Sequence, residues 1–214
     1  MDLNIIIPAR GGSKRIPKKN LVDLNGKPLL YYTINTCRMI TKNIWVSTDD
    51  NEIKKLAESM NVNVIDRPER LSTDESKTED VVEHFLEEIE TDLFCVVQPT
   101  SPLLSSGDLV YGCHLLEDNR FDFDSVISVC KETNYYWDIK GKPINFELGK
   151  RKRTQEHTPW FRENGAFYVT TKNKFLENKI LQNGNVGFVE MNIQNSIDID
   201  DEHDLELVRR LMND

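Results

Sequence analysis

The sequence lacks an excess of positive charge and long apolar runs. Its 214 residues carry 27 Lys and Arg against 36 Asp and Glu, a net charge of −9 at pH 7. Nucleic-acid affinity depends largely on neutralising phosphates, so nucleic-acid binding is not expected. No apolar run approaches the roughly 18 residues that span a membrane, and the start lacks the pattern of a secretory signal. We therefore expect no membrane partner and a cytoplasmic location.

Cysteine is scarce, and its spacing excludes the common cysteine frameworks. The four residues, Cys37, Cys95, Cys113 and Cys130, are scattered and form no CxxC pair. Zinc sites and redox motifs usually need such pairs, so both have little support here. Most of these cysteines lie in apolar surroundings, which predicts buried, reduced thiols.

The two familiar phosphate-loop motifs, GxxxxGK[ST] and GxGxxG, are also missing. After the first apolar run the chain instead reads ARGGSKRIPKKN, residues 9–20, with five cations within ten positions. Glycines let main-chain N–H groups approach an anion closely, and lysines add charge. This first loop, residues 9–20, therefore predicts a site for a small anion, although a solvated basic loop is the plainer alternative.

Apolar runs alternate with helical spacing along the first 130 residues. Strands are predicted at 3–8, 44–47, 62–65, 93–97 and 125–129, with helices between them, and further strands at 166–169 and 186–191 before a final helix. This order predicts an α/β fold: an open, mostly parallel twisted sheet with helices on both faces. We expect one domain over residues 1–214, with an irregular segment at about 131–163. In such sheets ligands bind beyond the carboxyl ends of the strands.

Two local interpretations concern helix starts. Ser76 and Glu79 have the spacing of a capping box, which predicts a helix start there. Asp200 can cap the final helix.

Asp198 and Asp200 occupy alternate positions of a predicted strand, so both carboxylates can reach one cation. Mg²⁺ takes one or two carboxylates together with phosphate oxygens and water.

Four motifs occur in one order along the chain: ARGGSKRIPKKN, QPTSPL at 98–103, NGAFYV at 164–169 and SIDID at 196–200. Together they resemble the acylneuraminate cytidylyltransferases, including relatives that act on legionaminic and pseudaminic acids. The resemblance implies a nucleotide-diphospho-sugar transferase-like fold. It also implies transfer of CMP from CTP to the anomeric hydroxyl of a nonulosonic acid, a nine-carbon 2-keto sugar acid, with release of pyrophosphate. Mg²⁺ and a homodimer belong to the same expectation.

The resemblance also implies roles for individual residues. The catalytic set is Arg10, Lys14, Lys19, Asp198 and Asp200, with Asp198 and Asp200 as the metal ligands. The nucleotide-binding set is Ala9, Arg10, Gly12, Ser13, Lys14, Asn20, Arg67 and Thr78. The substrate-binding set is Gln98, Thr100, Ser101, Arg153, Gln155, Asn164 and Tyr168. Arg153 is expected to pair with the sugar carboxylate. Leu104 stands where the family often has arginine.

Several alternatives stay open at this stage. The same reaction on an eight-carbon acid, as in the 3-deoxy-manno-octulosonate cytidylyltransferases, is the nearest one. A non-catalytic nucleotide-binding module on the same fold is another, because fold does not fix function. A glycosyltransferase is disfavoured, since Asp198-Ile199-Asp200 comes too late in the chain for its metal-binding motif. No general base is evident from the sequence.

Overall fold

The computed structural model describes residues 3–118, 120–151, 153–156 and 158–213. The strands are β1 (Leu3–Pro8), β2 (Asp23–Leu24), β3 (Lys27–Pro28), β4 (Ile44–Thr48), β5 (Asn63–Asp66), β6 (Leu93–Val97), β7 (Ser125–Glu132), β8 (Trp160–Thr171) and β9 (Val186–Met191). The α-helices are α1 (Leu29–Arg38), α2 (Asn51–Ser59), α3 (Thr78–Glu88), α4 (Ser106–Glu117), α5 (Lys172–Asn178) and α6 (Glu202–Leu211).

Seven strands form one sheet in the order β5-β4-β1-β6-β8-β7-β9. Strand β8 runs antiparallel to both β6 and β7, and the other pairs are parallel. The predicted mostly parallel sheet is therefore confirmed. All the parallel strands end at the same edge of the sheet, and the segments that follow them meet there.

The apolar side chains of β1 pack against helices on both faces of the sheet. Ile5 and Ile7 lie in a core cluster with residues of α1, α2 and α4, whereas Ile6 lies in a second cluster with Phe85 of α3 and Phe175 of α5. Successive side chains of a strand point to opposite faces, so a continuous apolar run is buried on both. Helices on both faces were predicted, and this is confirmed.

The two helix starts differ from the sequence interpretation. Helix α3 begins at Thr78, and Asp80 accepts a hydrogen bond from the backbone N–H of Lys77 (3.0 Å). Ser76 bonds within the preceding loop instead, where its Oγ accepts from the N–H of Thr73 (3.2 Å). The predicted Ser76–Glu79 capping box is therefore wrong.

At α6 the cap is Asp201, not Asp200. Asp201 Oδ1 accepts from the N–H groups of His203 and Asp204 at 2.9 and 3.1 Å. The strand predicted around Asp198 is also absent from the described residues, since β9 ends at Met191 and 197–200 has no regular structure. Because the next residue caps the helix, the Asp200 carboxylate is left for other contacts.

The irregular segment is shorter than predicted, because β7 extends to Glu132 and β8 begins at Trp160. In the register of this pair, Glu132 lies opposite Trp160. Several large apolar side chains of this region are exposed, among them Trp137, Trp160 and Phe161. All four cysteines are free and buried, as their surroundings predict. Within the described residues, no helix has the length and apolar character to cross a membrane.

Candidate active site

The first loop packs against the residues that follow β4. The N–H of Ala9 donates to the carbonyl of Ser47 (2.9 Å), and that of Gly11 donates to Asp49 Oδ1 (2.9 Å). A Cβ on Gly11 would lie 2.7 Å from the Cβ of Asp50, so this close approach requires glycine. Asp49 thus fixes the loop, a role that the sequence analysis missed.

Four of the five cations of the first loop line one open cavity of about 280 Å³. Its lining consists of Arg10, Ser13, Lys14, Arg15, Lys19 and Asp74. Gly12 is exposed on the same loop, and no atom lies within 4 Å of where its Cβ would be. Four of the six lining side chains are cationic, which makes the cavity attractive to a polyanion.

The late aspartates lie against this cavity. Lys19 Nζ donates to the carbonyl oxygen of Ile199 (2.8 Å) and lies 3.5 Å from Asp200 Oδ1. Arg15 Nη2 lies 2.7 Å from the same Asp200 oxygen. Ile16 and Ile199 are both buried in one small apolar cluster, which holds the loop and the aspartate segment together. The structure therefore brings the amino-terminal cations and the aspartate pair to one place.

Asp198 is partly buried beside Asp200. Burial raises its pKa, a hydrogen bond from Thr100 opposes that shift, and the charge of Asp200 adds to it. Two carboxylates that repel each other offer only oxygen ligands, which suits Mg²⁺ with phosphate oxygens completing its shell. Among the described residues, no group of three or more His, Cys, Asp or Glu side chains could hold a metal. Two carboxylates alone do not complete the shell of a metal, and Mg²⁺ takes its remaining oxygen ligands from phosphate and water.

The other two motifs are hydrogen-bonded to the aspartate segment. The N–H of Ile199 donates to the carbonyl of Thr100 (2.8 Å), which links it to the QPTSPL loop after β6. Asn164 is buried, and its Nδ2 donates to Ser196 Oγ (3.0 Å). Ser101, also buried, donates its N–H to the carbonyl of Gln98 (3.4 Å). All four motifs therefore converge on the carboxyl edge of the sheet.

Tyr168 lies on β8 near this group. Its hydroxyl donates to Glu163 Oε1 (2.6 Å), and Gln182 Nε2 donates to the same oxygen (2.7 Å). Burial and then the Glu163 carboxylate raise the pKa of Tyr168, with a smaller contribution from Asp198. The hydroxyl therefore stays protonated at neutral pH. Glu163 is not among the residues predicted from the sequence, although it directly precedes NGAFYV.

Asn20, the last residue of the first loop, and Arg67, which follows β5, are both buried. Arg67 donates from Nε to Ser47 Oγ (3.1 Å) and from Nη2 to the Ser47 carbonyl (2.8 Å). Burial lowers the pKa of Arg67 to about 10, against the opposing charge of Asp49. Asn20 Nδ2 donates to the carbonyl of Arg10 (2.9 Å), and its buried Oδ1 accepts no hydrogen bond from the described residues. Asn20 thus links the two ends of the loop. Arg67 holds Ser47, the residue whose carbonyl accepts the hydrogen bond from Ala9.

Three predicted positions stand apart from this group or join it weakly. Thr78 begins α3, and Gln98 Nε2 reaches its hydroxyl only at 3.5 Å. Arg153 and Gln155 are exposed in the segment between β7 and β8. Across the described ranges, no hydrogen bond or ion pair joins either side chain to the converging motifs. Leu104 is buried in the core, so no cation stands there.

Known proteins share both the sequence and the fold. A family model described as Cytidylyltransferase matches residues 4–213. N-acylneuraminate cytidylyltransferase A of Danio rerio is 34% identical over 208 residues, which cover 92% of this chain and 48% of that protein. Pseudaminic acid cytidylyltransferase of Campylobacter jejuni is 30% identical over 218 residues, covering 96% of this chain and 94% of that protein. The chain spans about half the length of the fish and streptococcal N-acylneuraminate cytidylyltransferases that it matches.

Solved structures agree on the fold. A CMP:2-keto-3-deoxy-manno-octonic acid synthetase complexed with CTP has a TM-score of 0.74 at 17% identity, covering 100% of this chain and 99% of that one. A 4-diphosphocytidyl-2C-methyl-D-erythritol synthase from Anaerococcus prevotii has a TM-score of 0.71 at 15% identity, covering 99% and 96%. At these identities the likeness shows the fold alone. The resemblance predicted from the four motifs is confirmed, and the chain belongs to the cytidylyltransferase family.

Proposed function

We propose that this chain transfers CMP from CTP to the anomeric hydroxyl of a nonulosonic acid and releases pyrophosphate. The observation that carries the proposal is the convergence of four motifs, from residues 9 to 200, on one edge of the sheet. Lys19 joins two parts of this site, because it lines the cation cavity and its Nζ lies 3.5 Å from Asp200 Oδ1. The names of the relatives from Danio rerio and Campylobacter jejuni support the class of sugar acid.

The first loop is assigned the triphosphate. Arg10, Lys14 and Lys19 line the cavity and hold the phosphates, while the backbone of Ala9 and Gly12 and the side chain of Ser13 complete the loop around them. Phosphoryl transfer needs positioning and charge stabilisation more than covalent chemistry from the protein. These cations neutralise the negative charge that develops on the leaving pyrophosphate.

We assign the nucleoside half of CTP to Asn20, Arg67 and Thr78. Arg67 and Asn20 are both buried there, and the Oδ1 of Asn20 is without a hydrogen-bond donor among the described residues. Arg67 contacts the cytosine in this assignment, and Thr78 provides a hydroxyl near the nucleotide. A base held by fixed donors is selected by hydrogen bonding, since an analogue with the wrong pattern leaves buried groups unpaired.

Asp198 and Asp200 are the residues that would hold Mg²⁺. The ion, when bound, stabilises negative charge on the phosphate oxygens of the substrate. Lys19, within reach of Asp200, keeps the pair partly neutralised and fixes its position through the Ile199 carbonyl. Arg15 adds a second positive charge on Asp200.

The sugar acid is assigned to the side chains after β6 and on β8: Gln98, Thr100, Ser101, Asn164 and Tyr168. Arg153, with Gln155 near it, is assigned the sugar carboxylate. Both lie exposed on the segment between β7 and β8, and a homodimer that covers this segment is part of the proposal. The proposal includes one cytidylyltransferase domain over 1–214 and a cytoplasmic location, which suits four free thiols.

Pyrophosphate release tests the proposal directly. Purified protein is incubated with Mg²⁺, CTP and each of a panel of acids: sialic, legionaminic, pseudaminic and 3-deoxy-manno-octulosonic. We expect release with at least one nine-carbon acid, little with the eight-carbon acid, and little when ATP or GTP replaces CTP. Release with the eight-carbon acid alone would contradict the assigned substrate. No release with any acid would instead favour a nucleotide-binding module.

A further inference from the structure

One carboxylate, that of Asp74, lines the cavity together with the cations of the first loop. Asp74 is in the loop that precedes α3, and its Oδ1 lies 3.0 Å from Arg10 Nη1. Its Oδ2 lies 2.5 Å from Lys14 Nζ. Arg10 Nη1 also donates to the carbonyl of the neighbouring Thr73 (2.8 Å). Two of the three cations assigned to the triphosphate are therefore already paired within the chain.

A carboxylate and a phosphate compete for the same donors. Both accept charge-assisted hydrogen bonds from guanidinium and ammonium groups. The hydrogen bond from Lys14, and then the other contacts with Lys14 and Arg10, hold the pKa of Asp74 below its usual range. Asp74 is therefore ionised at neutral pH. A triphosphate that reaches Arg10 and Lys14 has to displace this carboxylate or share its partners.

The pairing is held by the loop but is open to solvent. Ser76 Oγ accepts from the N–H of Thr73 and donates to the carbonyl of Arg70 (3.3 Å), which fixes the loop around Asp74. The side chains of Lys14 and Asp74 are 79% and 43% exposed. Exposed ion pairs contribute little free energy, so a ligand with several negative charges can displace the Asp74 carboxylate from Arg10 and Lys14.

We propose that Asp74 is an internal competitor for the triphosphate: in the free protein its carboxylate takes the place of a phosphate between Arg10 and Lys14. It thereby lowers the affinity of the cavity for triphosphate and for pyrophosphate. The benefit of weak pyrophosphate binding rests on the proposed function, because that reaction leaves pyrophosphate in this cavity. A returning carboxylate favours release of the product.

Binding of inorganic tripolyphosphate tests the competition without any turnover. Calorimetric titration compares wild type with Asp74→Asn, which keeps the side-chain shape and removes the charge. The substitution removes the ion pairs of Asp74 with Arg10 and Lys14. Since such exposed pairs are weak, we expect Asp74→Asn to bind tripolyphosphate roughly threefold to tenfold more tightly than wild type. The difference should shrink in high salt, which screens exposed charges.

Glu52 provides a matched control. Its carboxylate lies 2.6 Å from Nζ of Lys18, a cation of the same loop outside the cavity. Glu52→Gln should therefore bind tripolyphosphate like wild type, and Arg10→Ala should bind it more weakly. Equal or weaker binding by Asp74→Asn would overturn the inference. So would unchanged binding by Arg10→Ala, because the cavity would then not be the polyphosphate site.

Turnover separates this inference from the proposed function. If wild type transfers CMP, Asp74→Asn should show a lower KM for CTP and stronger inhibition by pyrophosphate, without a higher kcat. Unchanged KM and inhibition would overturn the competitor role and leave the function intact. If wild type shows no CMP transfer, tighter tripolyphosphate binding by Asp74→Asn still supports the competitor, and only the function fails.

Discussion

At the scale of single residues, Lys19 is the least exposed cation of the first loop and contacts the aspartate segment. It contacts the Ile199 carbonyl and lies near Asp200, and its charge also acts on Asp198. Only 15% of its side chain is exposed, so solvent screens it less than the other cations of the loop. A fixed charge in such surroundings stabilises a transition state without reorganising.

Lys19→Ala should reduce the rate of pyrophosphate release by roughly 10²–10³-fold, the usual cost of removing one such charge. The thermal unfolding temperature should change little, since the apolar contacts of Ile16 and Ile199 remain. Lys18→Ala is the control, because Lys18 pairs with Glu52 away from the cavity. Near-normal turnover in Lys19→Ala would remove this lysine from the catalytic set.

Cationic site residues are easier to predict than acidic ones in this chain. Arg10 and Lys14 follow a strand in a glycine-containing loop, and a basic cluster is conspicuous in an acidic sequence. Asp49, Asp74 and Glu163 carry no such signal, because 36 acidic residues are spread along the chain. Their roles depend on contacts between segments far apart in sequence, which only the folded chain defines.

At the scale of secondary-structure elements, buried strands were predictable and helix caps were not. Strand β6 is apolar throughout and β1 has one polar residue, Asn4, and burial on both faces makes such runs recognisable. The β2–β3 hairpin is absent from the sequence predictions, although Asn25 and Gly26 form the turn with φ of 50° and 83°. Asn-Gly between short strands is a known hairpin signal.

Strand β8 shows why element boundaries resist prediction. Its first four residues, Trp160 to Glu163, are all exposed, and apolar and polar side chains do not alternate among them. They form a strand because they pair with the end of β7, where Arg162 lies opposite Cys130. The hydrogen-bonding partner, rather than the local sequence, sets the start of this strand.

Helix α4 offers a test of packing against the sheet. A Cβ on Gly112 would lie 2.6 Å from Cε2 of Phe167 on β8, whereas a Cβ on Gly107 would meet only Ser105 Oγ at 3.7 Å. We expect Gly112→Ala to lower the free energy of unfolding by roughly 1–3 kcal/mol through overpacking. Gly107→Ala should raise it by up to about 1 kcal/mol, because alanine favours helix. Similar values for both variants in urea unfolding would contradict the close packing of α4.

The turn before β9 should be sensitive to acid. Asp124 Oδ2 accepts from the N–H of Asn185 (2.8 Å), and Lys174 Nζ lies 2.9 Å from Oδ1. These contacts lower the pKa of Asp124 in the folded state. The stabilisation is therefore complete above the unfolded-state pKa of about 3.9 and is lost as the pH falls through the lower folded-state pKa.

Asp124→Asn should consequently lower the free energy of unfolding at pH 7 by about 1 kcal/mol, the usual net value of such a hydrogen bond. The difference from wild type should disappear at low pH, where Asp124 is protonated in both states. Urea unfolding at several pH values measures this. A difference that is constant with pH would show that the charge of Asp124 does not contribute.

At the scale of the whole molecule, exposed aromatic side chains offer a test of the proposed homodimer. Trp137, Trp160 and Phe161 are 51%, 43% and 44% exposed on β8 and the segment before it. Aromatic residues are enriched at interfaces. Sedimentation velocity should therefore show a dimer, and Phe161→Asp should shift it to monomer, whereas Met39→Asp, at an exposed apolar residue after α1, should not. A Phe161→Asp variant that sediments like a wild-type dimer would place the interface elsewhere.

The first loop and the late aspartate segment meet through residues 180 and 185 positions apart in sequence, and one nucleotide with a divalent ion is expected to join them. Calorimetric titration of CTP with and without Mg²⁺ measures this most directly. For wild type, Mg²⁺ should tighten CTP binding roughly tenfold, or about 1.4 kcal/mol. Asp198→Asn should lose that gain but keep its Mg²⁺-independent affinity, and Lys19→Ala should bind more weakly in both conditions. An equal gain from Mg²⁺ in Asp198→Asn and wild type would contradict a single shared site.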